Sequence, residues 1–372
     1  MNETFDYIIV GAGSAGCAVA NRLSKNPENK ILLIEAGNNS HPLSRLPASF
    51  ALLIDNPSAN WRYRSEPEEN TSNRQIPIPR GKLLGGSSSI NGLVYVRGNK
   101  LDYDTWAQLG NTGWSYDDVL PFFKKMENYQ GDITEVRSTE GPLKISEVVD
   151  RNPIYEGLFK GAEEIGIPIN KDYNGHEQEG ISYTQTTIFK GERMSAEVAY
   201  LRPTKSRKNL KIITNSLVTK LLFDGKKCKG VKVKNKNKIT DFFAQNEVIL
   251  CGGAINSPQI LELSGIGNRS LLEEKGISLV HELKGVGENL RDHLGPRLVY
   301  NITKRGISYN DKARGINLIK QVLKYVFKRE GFLTLPSAPI LGFFKTRKEL
   351  AAPDIQAVSY THLTLPTKSR VG

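Results

Sequence analysis

The sequence predicts an α/β protein, α+β overall, in which a parallel sheet with packed helices is joined to antiparallel sheet and further helices. Residues 7–23 and 247–263 predict the parallel part, because both run in the order apolar strand, glycine turn, helix. A third observation is the Asp224-Gly225 turn between two short apolar runs, which is typical of an antiparallel hairpin. We therefore expect 7–23 and 247–263 to share one sheet, so that the domain containing it is discontinuous in sequence.

The first of these units carries the glycine fingerprint of a dinucleotide site in a Rossmann-type domain. Residues 7–10 form a short apolar run that leads into Gly11, Gly13 and Gly16. Gly11 permits the tight turn, Gly13 lets a pyrophosphate approach the backbone, and Gly16 lets the helix pack against the strand. The phosphates would then lie on the amide groups at the N-terminus of the helix.

The next strand ends in an acidic residue. Ile31–Ile34 is a buried-type run, and Glu35 follows it at the carboxyl end. A carboxylate at this position can accept hydrogen bonds from the hydroxyls of an adenosine ribose. The glycine pattern alone is weak evidence, but the complete strand-helix-strand unit with its terminal Glu35 predicts a dinucleotide site. It leaves open whether the ligand is FAD or NAD.

Composition bounds the class of protein. A chain of 372 residues can hold two domains, and it contains no apolar run of the roughly 20 residues that a membrane-spanning helix needs. The first strand begins too near Met1 for a signal peptide, so we expect a cytoplasmic protein, with peripheral contact at the inner face of a membrane as the alternative. Cys17, Cys228 and Cys251 are far apart and indicate buried thiols, not a disulfide framework or a metal site.

The formal net charge of +12 comes from Lys and Arg residues spread along the chain, with some enrichment between Lys304 and Lys348. These residues are not interleaved with aromatic side chains, so a solvated surface is the favoured interpretation and a nucleic-acid partner is not expected. Attraction to anionic lipid stays open.

Local signals place further elements. Residues 38–80 are rich in Pro, Asn and Ser and predict a long irregular connection. Ser115 predicts the cap of a helix over Tyr116–Met126, and residues 152–165 predict a second amphipathic helix. Ser257 and Pro258 predict the cap and first turn of a helix over residues 259–263.

Several motifs follow one another in a recognisable order. Besides the fingerprint they are residues 81–91, 95–98, 102–106, 113–116, 193–203, 253–258, 264–267 and 285–293. Together they resemble the glucose-methanol-choline family of FAD-dependent oxidoreductases, and most closely its choline dehydrogenase-like branch. The resemblance extends to about Gln356 and decides for FAD over NAD.

The resemblance also implies cofactor contacts. The segment that matches residues 84–94 runs along the pyrophosphate and flavin in the family, and Val218 matches a residue whose main chain meets the adenine. Some relatives attach FAD through a His, but Ile90 occupies the corresponding neighbourhood, so we expect a non-covalent cofactor. The implied contacts are Gly11, Gly13, Ser14, Ala15, Gly16, Glu35, Ala36, Leu84, Gly85, Asn91, Gly92, Leu93, Val94 and Val218.

Members of the family oxidise an alcohol by hydride transfer to the flavin while a histidine takes the hydroxyl proton. None of this chain's histidines matches that base, which in the family lies in a more C-terminal segment. They are His41, His176, His281, His293 and His362. Residues 359–368 depart from the family pattern, so we expect a non-native tail and an incomplete, inactive fragment.

The expected organisation is an FAD-binding domain over 1–150 and 205–300 and part of a substrate-binding domain over 151–204 and 301–356, followed by an anomalous tail over 357–372. The implied activity is FAD-dependent oxidation of an alcohol, with a quinone or another compound as electron acceptor. The alternatives are a hydroxynitrile lyase-like protein that contains FAD, a non-catalytic flavin-binding fragment and, from the fingerprint alone, a nicotinamide-dependent reductase.

Overall fold

The computed structural model describes residues 3–300, 302–304 and 306–360. Within them the chain divides into two compact units. The first comprises Met1–Ser44, Leu52–Ile90 and Ser195–Val299, and the second comprises Arg45–Ala51, Asn91–Met194 and Tyr300–Gly372. This division differs from the expected domains at residues 45–51 and 91–150, which belong to the second unit, and at residues 195–204, which belong to the first.

The regular elements alternate along the described chain. The α-helices are α1 (Ser14–Leu23), α2 (Phe50–Leu53), α3 (Lys100–Gln108), α4 (Tyr116–Met126), α5 (Pro153–Glu164), α6 (Gly253–Leu263), α7 (Arg269–Glu274), α8 (Tyr309–Lys312) and α9 (Gly315–Lys328). The strands are β1 (Thr4–Val10), β2 (Ile31–Ile34), β3 (Tyr63–Arg64), β4 (Pro77–Ile78), β5 (Glu127–Tyr129), β6 (Leu143–Glu147), β7 (Gly180–Tyr183), β8 (Gln185–Thr186), β9 (Ile188–Phe189), β10 (Glu192–Arg193), β11 (Leu210–Ile213), β12 (Leu217–Asp224), β13 (Lys227–Asn235), β14 (Lys238–Leu250), β15 (Ile266–Gly267), β16 (His281–Glu282), β17 (Ile340–Phe344) and β18 (Ile355–Ser359).

A six-stranded sheet in the order β11-β2-β1-β14-β13-β12 organises the first unit. Strand β1 pairs in parallel with both β2 and β14, and β2 pairs in parallel with β11. Strands β12, β13 and β14 continue the sheet as an antiparallel ribbon. The prediction that the two strand-turn-helix units share one parallel sheet is confirmed, as is the hairpin at Asp224-Gly225.

Strands β1 and β2 lie in the interior of the six-stranded sheet, and their faces are covered. All four residues of Ile31–Ile34 are buried, and Ile8 and Val10 of β1 join Leu32 and Ile34 in one apolar core with residues of β12 and β13. Continuous apolar runs of this kind are typical of strands that are buried on both faces. The sheet therefore holds the carboxyl ends of β1 and β2 side by side.

The start of α6 differs from the prediction. The helix begins at Gly253, directly after the glycine turn that ends β14, so Ser257 is not its cap and Pro258 lies within it. A proline there removes the hydrogen bond that its amide would donate to the carbonyl of Ala254. The helix starts six residues before the predicted start at residue 259.

The second unit contains antiparallel sheet and helices, as the predicted fold class requires. Strands β18, β17 and β7 form one antiparallel sheet, and β5, β6 and β8 form another small sheet. The predicted helix over Tyr116–Met126 is confirmed, with Ser115 and Asp118 forming a capping box. Strand β18 extends to Ser359, so residues 357–359 of the expected tail pair with β17, and residues 361–372 lie outside the described part.

Within the described residues, none of the helices combines the length and the apolar character that crossing a membrane would require.

Candidate cofactor-binding site

Two of the three fingerprint glycines are required by the fold itself. Gly11 adopts a φ of +96°, and a Cβ there would lie 2.6 Å from the carbonyl oxygen of Cys251. A Cβ at Gly16 would lie 1.9 Å from the carbonyl oxygen of Gly11. These contacts let α1 pack tightly between β1 and the turn after β14.

Gly13 has no such reason to be glycine. Its φ is −75°, which any residue adopts, and a Cβ there would come no closer than 3.9 Å to another atom of the described chain. The backbone at Gly13 is therefore open on the side where a side chain would stand. A ligand that approaches this backbone accounts for a glycine that packing does not require.

The N-terminus of α1 supplies amide donors beside Gly13. The amide of Cys17 is the first to bond within the helix, at 3.0 Å from the carbonyl oxygen of Gly13. The preceding amides of Ser14, Ala15 and Gly16 have no acceptor inside the helix, and the residues Ser14 and Ala15 are exposed. Such a group of amides favours an anionic ligand such as a phosphate.

Glu35 lies at the carboxyl end of β2 and is almost fully buried. Its Oε2 accepts a hydrogen bond of 2.9 Å from the amide of Ala12, and its Oε1 accepts one of 2.8 Å from the amide of Gly37. Burial raises the pKa of this carboxyl, against the opposing effects of both amides and of Lys82. Each oxygen keeps a further lone pair for a ribose hydroxyl. Sequence reasoning did not anticipate that Glu35 also fixes the fingerprint turn.

The chain after β11 crosses the same end of the sheet. The amide of Ser216 donates to the carbonyl oxygen of Glu35 at 2.9 Å, and the amide of Asn215 donates to that of Gly37 at 2.7 Å. Val218 follows two residues later and packs in the apolar core of the sheet. The structure therefore brings Val218 to the end of β2 that carries Glu35 and the half-buried Ala36.

A second glycine-rich segment lies directly on the fingerprint turn. The amide of Gly85 donates to the carbonyl oxygen of Ala12 at 2.8 Å, and a Cβ at Gly86 would lie 2.7 Å from Cα of Gly13. The amide of Leu84 donates to the carbonyl oxygen of Asn38 at 3.0 Å. Leu84 and Gly85 thus lie beside the fingerprint turn.

Ile90 ends this segment of the first unit. Its side chain is buried in an apolar cluster with Leu53, Ala59 and Leu83. An apolar, packed side chain offers no nucleophile to a flavin, in agreement with the expected absence of a covalent bond through this position.

The remaining predicted contacts belong to the second unit. The guanidinium of Arg193 donates to both the carbonyl oxygen and Oδ1 of Asn91 at 2.8 Å. The carbonyl oxygen of Gly92 accepts from the amide of Ser337 at 2.9 Å. Leu93 is buried at a φ of +68°, and Val94 forms an isolated bridge with Thr186. This backbone is therefore held in a defined and locally strained conformation.

The histidines of the described residues are dispersed. Nε2 of His41 lies 3.2 Å from the side-chain nitrogen Nδ2 of Asn56, and Nε2 of His176 lies 2.7 Å from the exposed carboxylate of Glu135. His281 and His293 are exposed, and His362 lies outside the described residues. We assign the role of catalytic base to none of them.

A buried charge cluster in the second unit was missed at the sequence level. Glu127 is fully buried and accepts from Arg137 at 3.0 Å, while Arg97 lies 2.7 Å away on the same carboxylate. Arg137 also contacts Asp172 at 2.5 Å and Gln185 at 3.0 Å. These residues are widely separated in sequence and share no spacing pattern, so no local signal could have predicted the cluster.

Comparison with known proteins bears on both units. A family model described as GMC oxidoreductase matches residues 5–295. The chain is 41% identical over 362 residues to the alcohol dehydrogenase (acceptor) of Pseudomonas putida, covering 95% of this chain and 64% of that protein. It is 38% identical over 362 residues to the oxygen-dependent choline dehydrogenase of Photobacterium profundum, covering 96% and 63%.

A solved structure shows the same architecture. The FAD-dependent oxidoreductase from Chaetomium thermophilum matches with a TM-score of 0.81 at 30% identity, covering 91% of this chain and 61% of that chain. The chain thus spans less than two thirds of the length of the relatives that it matches.

Proposed function

The chain belongs to the GMC oxidoreductase family, and from this premise we propose that its first unit binds FAD non-covalently. The observation that carries the proposal is the open backbone at Gly13, which the fold itself does not require to be glycine. A pyrophosphate that lies against this backbone accounts for it.

Different residues of the first unit would contact different parts of the cofactor. The free amides of Ser14, Ala15 and Gly16 hold the pyrophosphate, and the carboxylate of Glu35 accepts hydrogen bonds from the ribose. The main chain at Val218 meets the adenine, and Ala36 lies beside it at the end of β2. The docked backbone at Leu84 and Gly85 continues toward the flavin, as it does in the family that the sequence resembles.

The flavin side of the site would use the backbone of Asn91, Gly92, Leu93 and Val94. The hydrogen bonds from Arg193 and Ser337 hold two of these residues in place, so the segment is ordered before any ligand binds. A preordered backbone offers its groups to a flat ring without a further entropic cost.

FAD, when bound, supplies the hydride acceptor for oxidation of a CH–OH group. We propose that the intact protein oxidises an alcohol, as the names of the alcohol and choline dehydrogenase relatives suggest. Its electrons would pass to a quinone or another acceptor. The free thiols of Cys17, Cys228 and Cys251 support a reducing, cytoplasmic location.

Anaerobic addition of choline, and separately of a simple aliphatic or benzylic alcohol, to the FAD-loaded chain tests this activity. Because we assign no base within the described residues, we expect flavin to bind without being reduced, while dithionite reduces it fully. Bleaching by an alcohol would show that the chain is catalytically complete, and would contradict the expectation of an inactive fragment. Failure of the chain to retain flavin would contradict the binding proposal itself.

A further inference from the structure

Helix α9 presents an apolar stripe that no part of the described chain covers. None of its 14 residues is buried. Ile316, Ile319, Leu323 and Val326 follow one another at spacings of three, four and three residues, which places them on one face of the helix. The exposed apolar residues of the helix are Ile316, Leu318, Ile319, Val322, Leu323, Val326 and Phe327.

The opposite side of α9 is polar and partly attached to the second unit. Gln321 accepts a hydrogen bond of 3.4 Å from the amide of Phe332, and Tyr325 lies 4.8 Å below the guanidinium of Arg329. Both residues are less exposed than their neighbours on the helix. The helix is therefore held by one edge and keeps its apolar stripe turned outward.

The charged residues within α9 itself are all Lys. Residues 312–329 contain six Lys or Arg residues and no Asp or Glu. Lys324 pairs with Glu330 at 3.5 Å, whereas Lys320 and Lys328 have no acidic partner among the described residues. Lys320 follows Ile316 by four residues, and Lys324 and Lys328 follow at further steps of four, so positive charge borders one side of the stripe.

We propose that α9 is a membrane-surface helix that docks the protein on anionic phospholipid. A strongly amphipathic helix with Lys on its polar face and large apolar residues on the other lies in the interface of a bilayer. With 14 residues it is too short to cross the roughly 30 Å apolar layer. A second copy of the chain would bring the same positive charges to the stripe, which disfavours self-association through it.

Co-sedimentation with vesicles tests the proposal. We expect the full 372-residue chain to bind vesicles of phosphatidylglycerol and phosphatidylcholine, to bind pure phosphatidylcholine far more weakly, and to dissociate as salt is raised. Equal binding to both kinds of vesicle, or to neither, would overturn the proposal. The assay needs no flavin, so its outcome is independent of the proposed cofactor site.

Two sets of variants separate the apolar and charged contributions. Ile319→Glu with Phe327→Glu should abolish vesicle binding, whereas Ile239→Glu with Leu109→Glu, at similarly exposed apolar positions elsewhere, should leave it unchanged. The triple change K320Q, K324Q and K328Q should weaken binding on the order of a hundredfold, since each cation contributes about a fivefold factor at an anionic surface. The matched change K226Q, K234Q and K238Q should have little effect.

Insertion depth provides an independent readout. Fluorescence added by Phe327→Trp should be quenched by brominated lipid, while that added by Ile239→Trp should not, because interfacial helices bury their apolar face about 5–10 Å deep. A chain that dimerises in sedimentation equilibrium without binding vesicles, and becomes monomeric with Ile319→Glu and Phe327→Glu, would show that a second copy covers the stripe and would overturn the proposal.

Discussion

The amide of Gly85 donates a hydrogen bond of 2.8 Å to the carbonyl oxygen of Ala12, which joins two glycine segments that lie far apart in the sequence. The contact is close because Gly86 carries no side chain, since a Cβ there would lie 2.7 Å from Cα of Gly13. The fingerprint turn and the second glycine segment therefore form one continuous backbone surface in the first unit, beside the amides at the start of α1.

Replacing Gly13 with Ala should separate ligand binding from folding. A Cβ at Gly13 meets no protein atom within 3.9 Å, so we expect the melting temperature of the flavin-free chain to change little. The same Cβ would stand where the pyrophosphate approaches, so FAD affinity should fall at least tenfold, about 1.4 kcal/mol. Fluorescence titration with FAD and a thermal melt measure the two effects.

Gly16→Ala is the matched control for this experiment. Its Cβ would overlap the carbonyl oxygen of Gly11, so we expect a loss of about 1–3 kcal/mol in the free energy of unfolding. If Gly13→Ala destabilised the chain as much as Gly16→Ala does, the distinction between a structural and a ligand-facing glycine would be wrong.

Glu35 should make the stability of the flavin-free chain depend on pH. Burial raises the pKa of this carboxyl above its ordinary value of 4.5, so the folded chain binds the proton more tightly than the unfolded chain does. The resulting stability is fully present below pH 4.5 and is lost as pH rises through the raised pKa.

Urea unfolding of wild type and Glu35→Gln at a series of pH values checks this dependence. Wild type should lose stability relative to Glu35→Gln as pH rises, since glutamine does not titrate. Glu28→Gln, at an exposed position, should keep the wild-type profile. Parallel profiles for wild type and Glu35→Gln would refute the assignment.

Arg137 should be critical for the stability of the second unit. It contacts Glu127, which is fully buried, and Asp172, which is partly exposed, so Arg137→Met leaves both carboxylates with too few cations. We expect a loss of about 3–5 kcal/mol in the free energy of unfolding. Arg269→Met removes an exposed pair with Glu273 and should cost less than about 0.5 kcal/mol. Similar costs for the two variants, measured by urea unfolding, would argue against a stabilising role for the cluster.

Bound FAD should dissociate, chemically unchanged, when the chain is denatured. Ile90 packs among apolar side chains and provides no atom for a covalent bond to flavin. After acid precipitation of the FAD-loaded chain, we expect all of the flavin in the supernatant and none in the pellet. Flavin that stayed with the precipitated protein would reveal a covalent link elsewhere in the chain.

Helices and strands that depend on neighbouring residues could be predicted well from the sequence. Ile31–Ile34 and Tyr116–Met126 end where the patterns predicted, because a buried apolar run and a capping box are encoded by adjacent residues. The shared parallel sheet could also be predicted, since residues 7–23 and 247–263 both run in the order strand, turn, helix.

Long-range partners could not be predicted in the same way. The two amides that Glu35 accepts from depend on the packing of two turns, and the partners of Arg137 depend on three separate segments. The assignment of residues 91–150 to the second unit also follows from such contacts, among them the one between Arg137 and Asp172. A signal based on spacing contains no information about pairs of this kind.

Retention of cofactor by the purified chain tests whether its first unit binds FAD. The 372-residue chain is incubated with FAD or with NAD, passed through a gel-filtration column, and examined by visible and ultraviolet absorption. We expect a flavin band to elute with the folded protein and NAD to elute separately from it. A folded chain that retains no FAD, or that retains NAD in its place, would contradict it.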